Sequence, residues 1–216
     1  MSLVFYYGSG SPFAWKVQLA LEYKTIPYER KVLSFSAGDT KRPEFLALNP
    51  RGRVPTIDDN GFVLYESNAI VEYLDEAYSA RGPSLFPGDA RARAIVRRLI
   101  CEVDNYLYPA LEKLLDEAFK KPEEIDRKVV AGARDGVIDE LRMLARTIRG
   151  DYLAGSLSAA DLALYPLIAF LFRVERKRLP ELEAQNMLPD SIAGWRERIM
   201  ALDFIDRTIP PHWTQS

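Results

Sequence analysis

The hydrophobic pattern of the chain changes near residue 80, and this change restricts the folds that the chain can adopt. Before it, short β-branched and aromatic runs alternate with stretches of helical spacing, and after it only helical spacing remains. This division predicts an α/β domain followed by an all-α domain. We place the first domain at residues 1–79, a linker rich in glycine and proline at 80–89, and the helical domain at 90–216.

The first domain has the predicted order βαβ followed by ββα. A strand at residues 3–7 precedes Ser11-Pro12, which has the character of a helix start because serine favours the N-cap and proline the first helical position. A second strand at 26–33 completes a βαβ unit with a right-handed crossover. Strands at 54–58 and 62–65 flank a tight turn, so we expect them to pair antiparallel. A short helix is expected at residues 43–48, and another helix opens at 66–68.

The second domain is predicted to be all-α, with about five helices. Helical spacing of apolar residues defines the segments 91–115, 125–148, 161–174 and 191–201, of which 161–174 has the character of a buried central helix. Cys101 falls in the first of these helices and is expected to be a small core residue.

Composition excludes several classes of function. The net charge of -2 provides no long-range field that would attract nucleic acid or an anionic membrane. One cysteine and one histidine, Cys101 and His212, make an internal disulfide impossible and argue against a His/Cys metal site or a Ser-His triad. No secretory signal or membrane-span pattern is found, so a cytoplasmic location is expected.

Val54-Pro55 is the first motif with chemical content. Proline in a strand lacks the N–H that a sheet ladder needs, so it belongs at an edge or at a special bond. A cis bond here would turn the backbone N–H and C=O of Val54 outward, where an extended peptide could pair with them. The local pattern alone favours an ordinary trans proline at the start of a strand.

Glu66-Ser67 is the second motif, at the start of a predicted helix. Free N–H groups and the helix dipole attract a carboxylate to such a position, and the neighbouring Glu66 could accept an ammonium group. An anion site beside an ammonium acceptor matches the two charged ends of an α-amino acid. Taken alone, the pair also fits a plain capped helix.

Four short motifs together resemble the glutathione transferase family, in the expected order and over essentially the whole chain. They are SPFAWKV at residues 11–17, NPRGRVPTI at 49–57, LYESNAI at 64–70 and GSLSAADL at 155–162. The last is similar to the family's capping box and hydrophobic staple, in which Ser158 and Asp161 satisfy each other's N–H groups while Leu157 packs on Leu162. The first is similar to the family's serine-type active-site segment.

The resemblance implies a thioredoxin-like first domain with a cis Pro55 and a binding site for glutathione as co-substrate, without a metal. The backbone of Val54 would pair with the cysteinyl part of glutathione, and Glu66 and Ser67 would hold its γ-glutamyl end. Lys41 and Arg53 would reach the glycine carboxylate or the backbone near it.

Ser11 is the residue that the resemblance implies for activation of the glutathione thiol. It combines an O–H donor with a helix start, and both lower the pKa of a thiol. Ser9 is the rival, because the loop 8–11 permits a shifted alignment. Tyr6 and Tyr7 are further candidates, since another branch of the family uses a tyrosine at the end of this strand.

The resemblance also implies an apolar pocket for a small electrophile, assigned to Phe13, Tyr106, Tyr108 and Phe119. Tyr106 and Tyr108 cannot share one face of a helix, so one of them is expected in the core. The C-terminal residues 210–213 either fold back over this pocket or form a disordered tail.

The predicted function is therefore that of a glutathione transferase, with a detoxification role, acting as a homodimer in which Asp104 reaches the partner's glutathione ammonium. Two alternatives stay open. One is a glutathione-dependent disulfide reductase or isomerase on the same scaffold, and the other is a non-catalytic protein that binds glutathione.

Overall fold

The computed structural model describes residues 3–214, which form two compact units. The first unit contains the chain up to Leu85 together with the segment from Asp203 onward, and the second runs from Phe86 to Leu202. The C-terminal segment, which the sequence analysis grouped with the helical domain, thus clusters with the first unit. The predicted domain limits otherwise stay a prediction.

A four-stranded mixed sheet forms the centre of the first unit, in the order β2-β1-β3-β4. The strands are β1 Leu3–Tyr7, β2 Tyr28–Val32, β3 Thr56–Asp59 and β4 Phe62–Tyr65. β1 pairs parallel with β2 and antiparallel with β3, and β3 pairs antiparallel with β4. The predicted thioredoxin-like βαβ-ββα arrangement is confirmed.

The sheet is accompanied by α1 Pro12–Tyr23, α2 Pro43–Leu48 and α3 Ser67–Ala77, and a short helix, Pro211–Thr214, belongs to the same unit. Alternate residues of β1, Leu3 and Phe5, point into the core, as expected for a strand with one buried face. Ile57 and Ile70 are fully buried in the same unit. Burial of each such side chain contributes about 1.5–3 kcal/mol, so this apolar core holds the sheet and its helices together.

A buried ion pair joins three segments of the first unit. Nζ of Lys24, at the end of α1, lies 3.0 Å from Oδ1 of Asp75 in α3, and the Lys24 side chain is only 1% exposed. The Asp75 carboxylate also accepts hydrogen bonds from the N–H of Leu85 at 2.7 Å and the hydroxyl of Ser84 at 2.9 Å. One carboxylate therefore fixes α1, α3 and residues 84–85 to one another.

Helices are the main elements of the second unit. Its helices are α4 Ala90–Glu102, α5 Tyr108–Ala118, α6 Arg127–Ala145, α7 Ala159–Lys177, α8 Ala184–Met187 and α9 Asp190–Met200. The predicted segment 91–115 is helical over its whole length, with a π-helical turn at Val103–Leu107 between α4 and α5. Pro109 explains the π-helical turn, since its ring clashes with the carbonyl four residues earlier and it lacks an N–H.

The predicted capping box at the start of α7 is confirmed. The Asp161 carboxylate accepts from the N–H of Ser158 at 2.9 Å, and the Ser158 side chain caps the first turn in return. Asp161 also accepts from the N–H of Leu153 and from the indole of Trp195. Leu157 and Leu162 are both buried, as the hydrophobic staple requires. α7 is buried along most of its length, as the sequence indicates.

Cys101 is exposed, so the prediction of a core position is wrong; it lies on the open face of α4, whose buried residues are Val96, Leu99 and Ile100. Among the helices within residues 3–214, none is long and apolar enough to cross a membrane.

Candidate functional site

The register of the sheet brings the predicted binding segments to one end of the first unit. Tyr6 of β1 lies opposite Thr56, and Thr56 lies opposite Tyr65. The loop 8–11 therefore leaves β1 at the end of the sheet where residues 53–55 enter β3 and where residues 66–67 leave β4. β2 runs parallel to β1 and ends beside it, with Val32 opposite Tyr7, so the segment that leads to Lys41 starts at the same end.

Ser11 is the N-cap of α1. Its Oγ accepts a hydrogen bond of 3.3 Å from the N–H of Ala14, and its own N–H donates to the carbonyl of Gly8. A hydroxyl that accepts one hydrogen bond still has its proton to donate. No acceptor for that proton is found within residues 3–214. Ser11 thus offers an O–H donor at the positive end of a helix dipole.

Ser9 is in a different situation. Its Oγ lies 3.1 Å from Nδ1 of His212, in the C-terminal segment of the same unit. Tyr6 and Tyr7 lie within β1, where Tyr7 stacks on Phe5 with ring centroids 5.3 Å apart. Of the four candidates for thiol activation, only Ser11 combines an uncommitted hydroxyl proton with the start of a helix.

The Val54-Pro55 bond is cis, and Val54 lies two residues before the first residue of β3. Within the described part of the chain, neither the N–H nor the C=O of Val54 is hydrogen-bonded. The loop in front of it is held by the buried amide of Asn49, which donates to the carbonyl of Arg53 at 2.7 Å and to the hydroxyl of Thr56 at 3.1 Å. This clamp leaves the backbone of Val54 free to pair with an extended ligand.

Glu66 and Ser67 stand at the start of α3. Glu66 is exposed and has a φ of 73° and a ψ of 110°, a conformation that side chains other than glycine rarely adopt. Ser67 is the first helical residue and is buried. In residues 3–214, neither side chain has a hydrogen-bond or ion-pair partner. A carboxylate, a hydroxyl and the free N–H groups of a helix start are therefore adjacent and uncommitted.

Lys41 and Arg53 supply positive charge near the loop that contains Val54. Lys41 Nζ would lie 3.1 Å from a Cβ placed on Gly52, so its ammonium group is next to the backbone that leads to Arg53. Gly52 has a φ of +59°, and a Cβ there would also lie 2.7 Å from the carbonyl of Thr40. Only glycine fits this approach. Both cationic side chains are exposed.

The four candidates for the electrophile pocket belong to two different units. Phe13 is half-buried in α1, and the Lys16 ammonium lies 5.5 Å from the centre of its ring. In the second unit Tyr106 is 60% exposed and Phe119 is 61% exposed, so both are available to a ligand. Tyr108 is half-buried and its hydroxyl donates to Glu112 at 3.1 Å. Their assignment to one pocket stays a prediction.

Two residues near this site, Asn49 and His212, make contacts that the sequence did not predict. Asn49 was part of the family-like pattern, but its role as the clamp of the 49–56 loop became visible only in the structure. The contact between His212 and Ser9 joins residues 203 positions apart, and no local pattern reports such a contact. Groups of three or more His, Cys, Asp or Glu side chains able to hold a metal are not found among residues 3–214.

The fold defines a thioredoxin-like domain, with uncommitted polar groups at one end of its sheet, in a chain that continues as a helical unit. Residues 10–77 match the family "Glutathione S-transferase, N-terminal domain". Glutathione S-transferase A of Pleuronectes platessa is 31% identical over 97% of this chain and 92% of its own length. Glutathione S-transferase D7 of Drosophila melanogaster is 28% identical over 89% of this chain and 86% of its own.

A solved structure agrees with these sequence matches. The glutathione S-transferase from the Antarctic clam Laternula elliptica superimposes with a TM-score of 0.82 at 32% identity, covering 100% of this chain and 95% of its own. The chain belongs to the glutathione S-transferase family, a family of transferases.

Proposed function

We propose that this protein conjugates glutathione to a small electrophile and that the Ser11 hydroxyl stabilises the glutathione thiolate. The observation that carries the proposal is the position of Ser11. It is the N-cap of α1 with its own proton uncommitted, at the end of the sheet where Val54, Glu66 and Ser67 converge.

The uncommitted groups around Ser11 suit the chemistry of glutathione. Its γ-glutamyl end carries an ammonium and a carboxylate, which Glu66 and the start of α3 would hold. Its cysteinyl backbone would pair with Val54, as an added strand pairs with a sheet edge. Its glycine carboxylate would be bound by Lys41 and Arg53.

Thiol activation then requires a thiolate near neutral pH. A free thiol has a pKa of about 8.5, and a hydroxyl donor together with a helix N-terminus lowers it. The thiol proton passes to solvent, and the thiolate sulfur forms a C–S bond with the electrophilic carbon. A leaving group such as halide departs with the bonding electrons, so no covalent bond to the enzyme forms. Orientation and desolvation of the two reactants supply the acceleration.

The test follows conjugation of glutathione to a chlorodinitroarene. Ser11→Ala should lower kcat/KM by about 100- to 1,000-fold, the usual effect of removing one donor to a developing anion. Ser191→Ala, an exposed serine in α9, is the matched control and should leave the rate unchanged. A Ser11→Ala enzyme with full turnover would refute the role of Ser11. Turnover of a small mixed disulfide without conjugation would favour a reductase instead.

Two further features belong to the proposal on the strength of family membership. Tyr106, Tyr108 and Phe119 of the helical unit contribute to the electrophile pocket, and the protein is a homodimer. Sedimentation equilibrium should then give a mass of twice the 24.6 kDa of the chain. A monomer mass at micromolar concentration would exclude the dimer.

A further inference from the structure

The C-terminal segment is firmly attached to the first unit next to the loop 8–11. The indole N–H of Trp15 donates to the hydroxyl of Thr208 at 2.8 Å, in a buried position. Arg207 donates to Glu22 at 3.3 Å, and Trp213 packs edge-to-face on Trp15 with ring centroids 5.3 Å apart. Contacts on both sides of Pro210 and Pro211 therefore fix where the next side chain, His212, can lie.

The His212 ring lies directly on the loop between Ser9 and Ser11. Its Nδ1 is 3.1 Å from Ser9 Oγ. A Cβ on Gly10 would lie 3.3 Å from both Cε1 and Nε2 of the ring, and Gly10 has a φ of +89°. The backbone conformation favours glycine at this position, and a larger side chain would also press against the imidazole. The loop thus carries Ser11 on one side of Gly10 and the histidine-bonded Ser9 on the other.

The hydrogen bond between His212 and Ser9 can run in either direction. When the imidazole is neutral with its proton on Nε2, Nδ1 accepts a hydrogen bond and the Ser9 hydroxyl donates it. When the imidazole is protonated, Nδ1 donates to Ser9 Oγ, and the Ser9 proton is released for another acceptor. His212 is exposed, so it exchanges protons with bulk solvent.

The surroundings of this pair are positively charged. A hollow beneath the loop is lined by Ser9 and Ser11 together with Arg30 of β2 and Arg207 of the C-terminal segment. Glu22 of α1 is bonded to Arg207, and Tyr7 is the remaining ionisable residue lining the hollow. A protonated His212 adds a further positive charge next to the start of α1, which favours an anion there.

We propose that His212 is a positioning residue for thiol activation: through its hydrogen bond to Ser9 it fixes the loop that presents Ser11, and its protonation releases the Ser9 hydroxyl as a second donor toward the thiolate. The inference rests on the proposed function and adds a pH-dependent device to the same site. His212 acts through Ser9 and makes no contact with substrate in this role.

The kinetic test compares two variants across pH. His212→Phe keeps a ring over Gly10 but neither bonds to Ser9 nor titrates, and His212→Asn keeps a hydrogen-bonding group near the position of Nδ1 without titrating. Since a histidine titrates near pH 6.5, we expect His212→Phe to lower kcat/KM for conjugation by about 3-fold at about pH 8 and by about 10-fold at about pH 6. His212→Asn should restore the rate at the higher pH but not at the lower.

A purely structural role for His212 predicts the same fold-loss at every pH, so a constant ratio of wild type to His212→Phe would overturn the proposal. Ser9→Ala supplies a second check. The double variant Ser9→Ala/His212→Phe should be no less active than the less active of the two single variants, because both substitutions remove the same interaction. Additive losses would show that the two residues act independently.

A measurement without turnover separates this inference from the proposed function. His212 is the only histidine of the chain, so its Cε1 proton gives a single NMR titration curve. Ser9→Ala should shift the midpoint of that curve, and Ser191→Ala should not. An unshifted midpoint would refute the coupling of His212 to Ser9, even in an active enzyme. A shifted midpoint in a protein that conjugates nothing would instead refute only the proposed function.

Discussion

At the scale of single residues, the site is built from groups that the fold leaves without partners. Glu66 and Ser67 make no side-chain bonds within residues 3–214, and Glu66 adopts a φ of 73°. Such a backbone conformation costs a non-glycine residue about 1–3 kcal/mol. We infer that the strained and unpartnered Glu66 is a ligand-binding residue.

This interpretation predicts that stability and affinity separate at residue 66. Glu66→Gly should relieve the backbone and raise the free energy of unfolding by about 1 kcal/mol. It should also raise the Kd for glutathione about 10-fold or more, because the carboxylate that faces the ligand ammonium is lost. Chemical unfolding and calorimetric titration measure the two effects.

Thr25 provides the matched control. It is exposed, has a φ of 53° and lies at the end of α1, away from the convergence of β1, β3 and β4. Thr25→Gly should therefore stabilise by a similar amount and leave the affinity for glutathione unchanged. If Glu66→Gly binds glutathione as tightly as wild type, the γ-glutamyl assignment is wrong.

At the scale of elements, most helices and strands could be predicted from local chemistry. β1, β4 and α2 were predicted at their observed bounds, because alternation, the Asn60-Gly61 turn and Pro43 each act within a few residues. The start of α1 at Ser11-Pro12 and the capping box of α7 are equally local. The π-helical turn before Pro109 was not predicted, because apolar spacing continues through it without interruption.

The capping box predicts a large stability effect at Asp161. This carboxylate is fully buried and accepts hydrogen bonds from Leu153, Ser158 and Trp195. Asparagine has the same shape but turns an NH₂ group toward donors on one side. Asp161→Asn should lower the free energy of unfolding by about 3–5 kcal/mol. Hydrogen exchange of α7 amides would locate the loss.

The same substitution at another helix start serves as its control. Asp126 is exposed and caps α6 by accepting from the N–H groups of Lys128 and Val129. Asparagine is about as good an N-cap, so Asp126→Asn should cost less than about 0.5 kcal/mol. Equal losses at the two sites would contradict the role assigned to the buried network of Asp161.

At the scale of the whole molecule, contacts distant in sequence decide what local patterns cannot. The bond from Trp15 to Thr208 spans 193 positions and brings the C-terminal segment to the unit that contains β1. Neither residue carries a sequence signal for the other. For this reason the position of residues 210–213, and the contact of His212 with Ser9, could be known only from the three-dimensional structure.

The ion pair of Lys24 and Asp75 predicts how the stability of the first unit depends on pH. Burial alone would raise the pKa of Asp75, but hydrogen bonds from Leu85, Lys24 and Ser84 outweigh it, so that the pKa lies below its ordinary value. A carboxylate with a lowered pKa stabilises the folded state above its unfolded pKa of about 3.9, and this contribution is lost as the pH falls through the folded value.

Asp75→Asn should therefore destabilise the first unit by about 3–5 kcal/mol near neutral pH, because Lys24 stays buried without its counter-charge. The difference in the free energy of unfolding between wild type and variant should narrow only as the pH falls below about 4. Hydrogen exchange of α1 and α3 amides at several pH values measures this difference. Glu29→Gln, an exposed carboxylate in β2, is the control and should show no such trend. A difference that stays constant down to about pH 3 would contradict the assignment.

The most direct test of the central claim is the pKa of the thiol of bound glutathione, read from the ultraviolet absorbance of its thiolate in the binary complex. In the wild type this pKa should lie below the value of about 8.5 for a free thiol, by at least about one unit. Ser11→Ala should return it close to the free value while glutathione still binds. A bound thiol that titrates identically in the wild type and in Ser11→Ala would contradict the claim that Ser11 stabilises the thiolate.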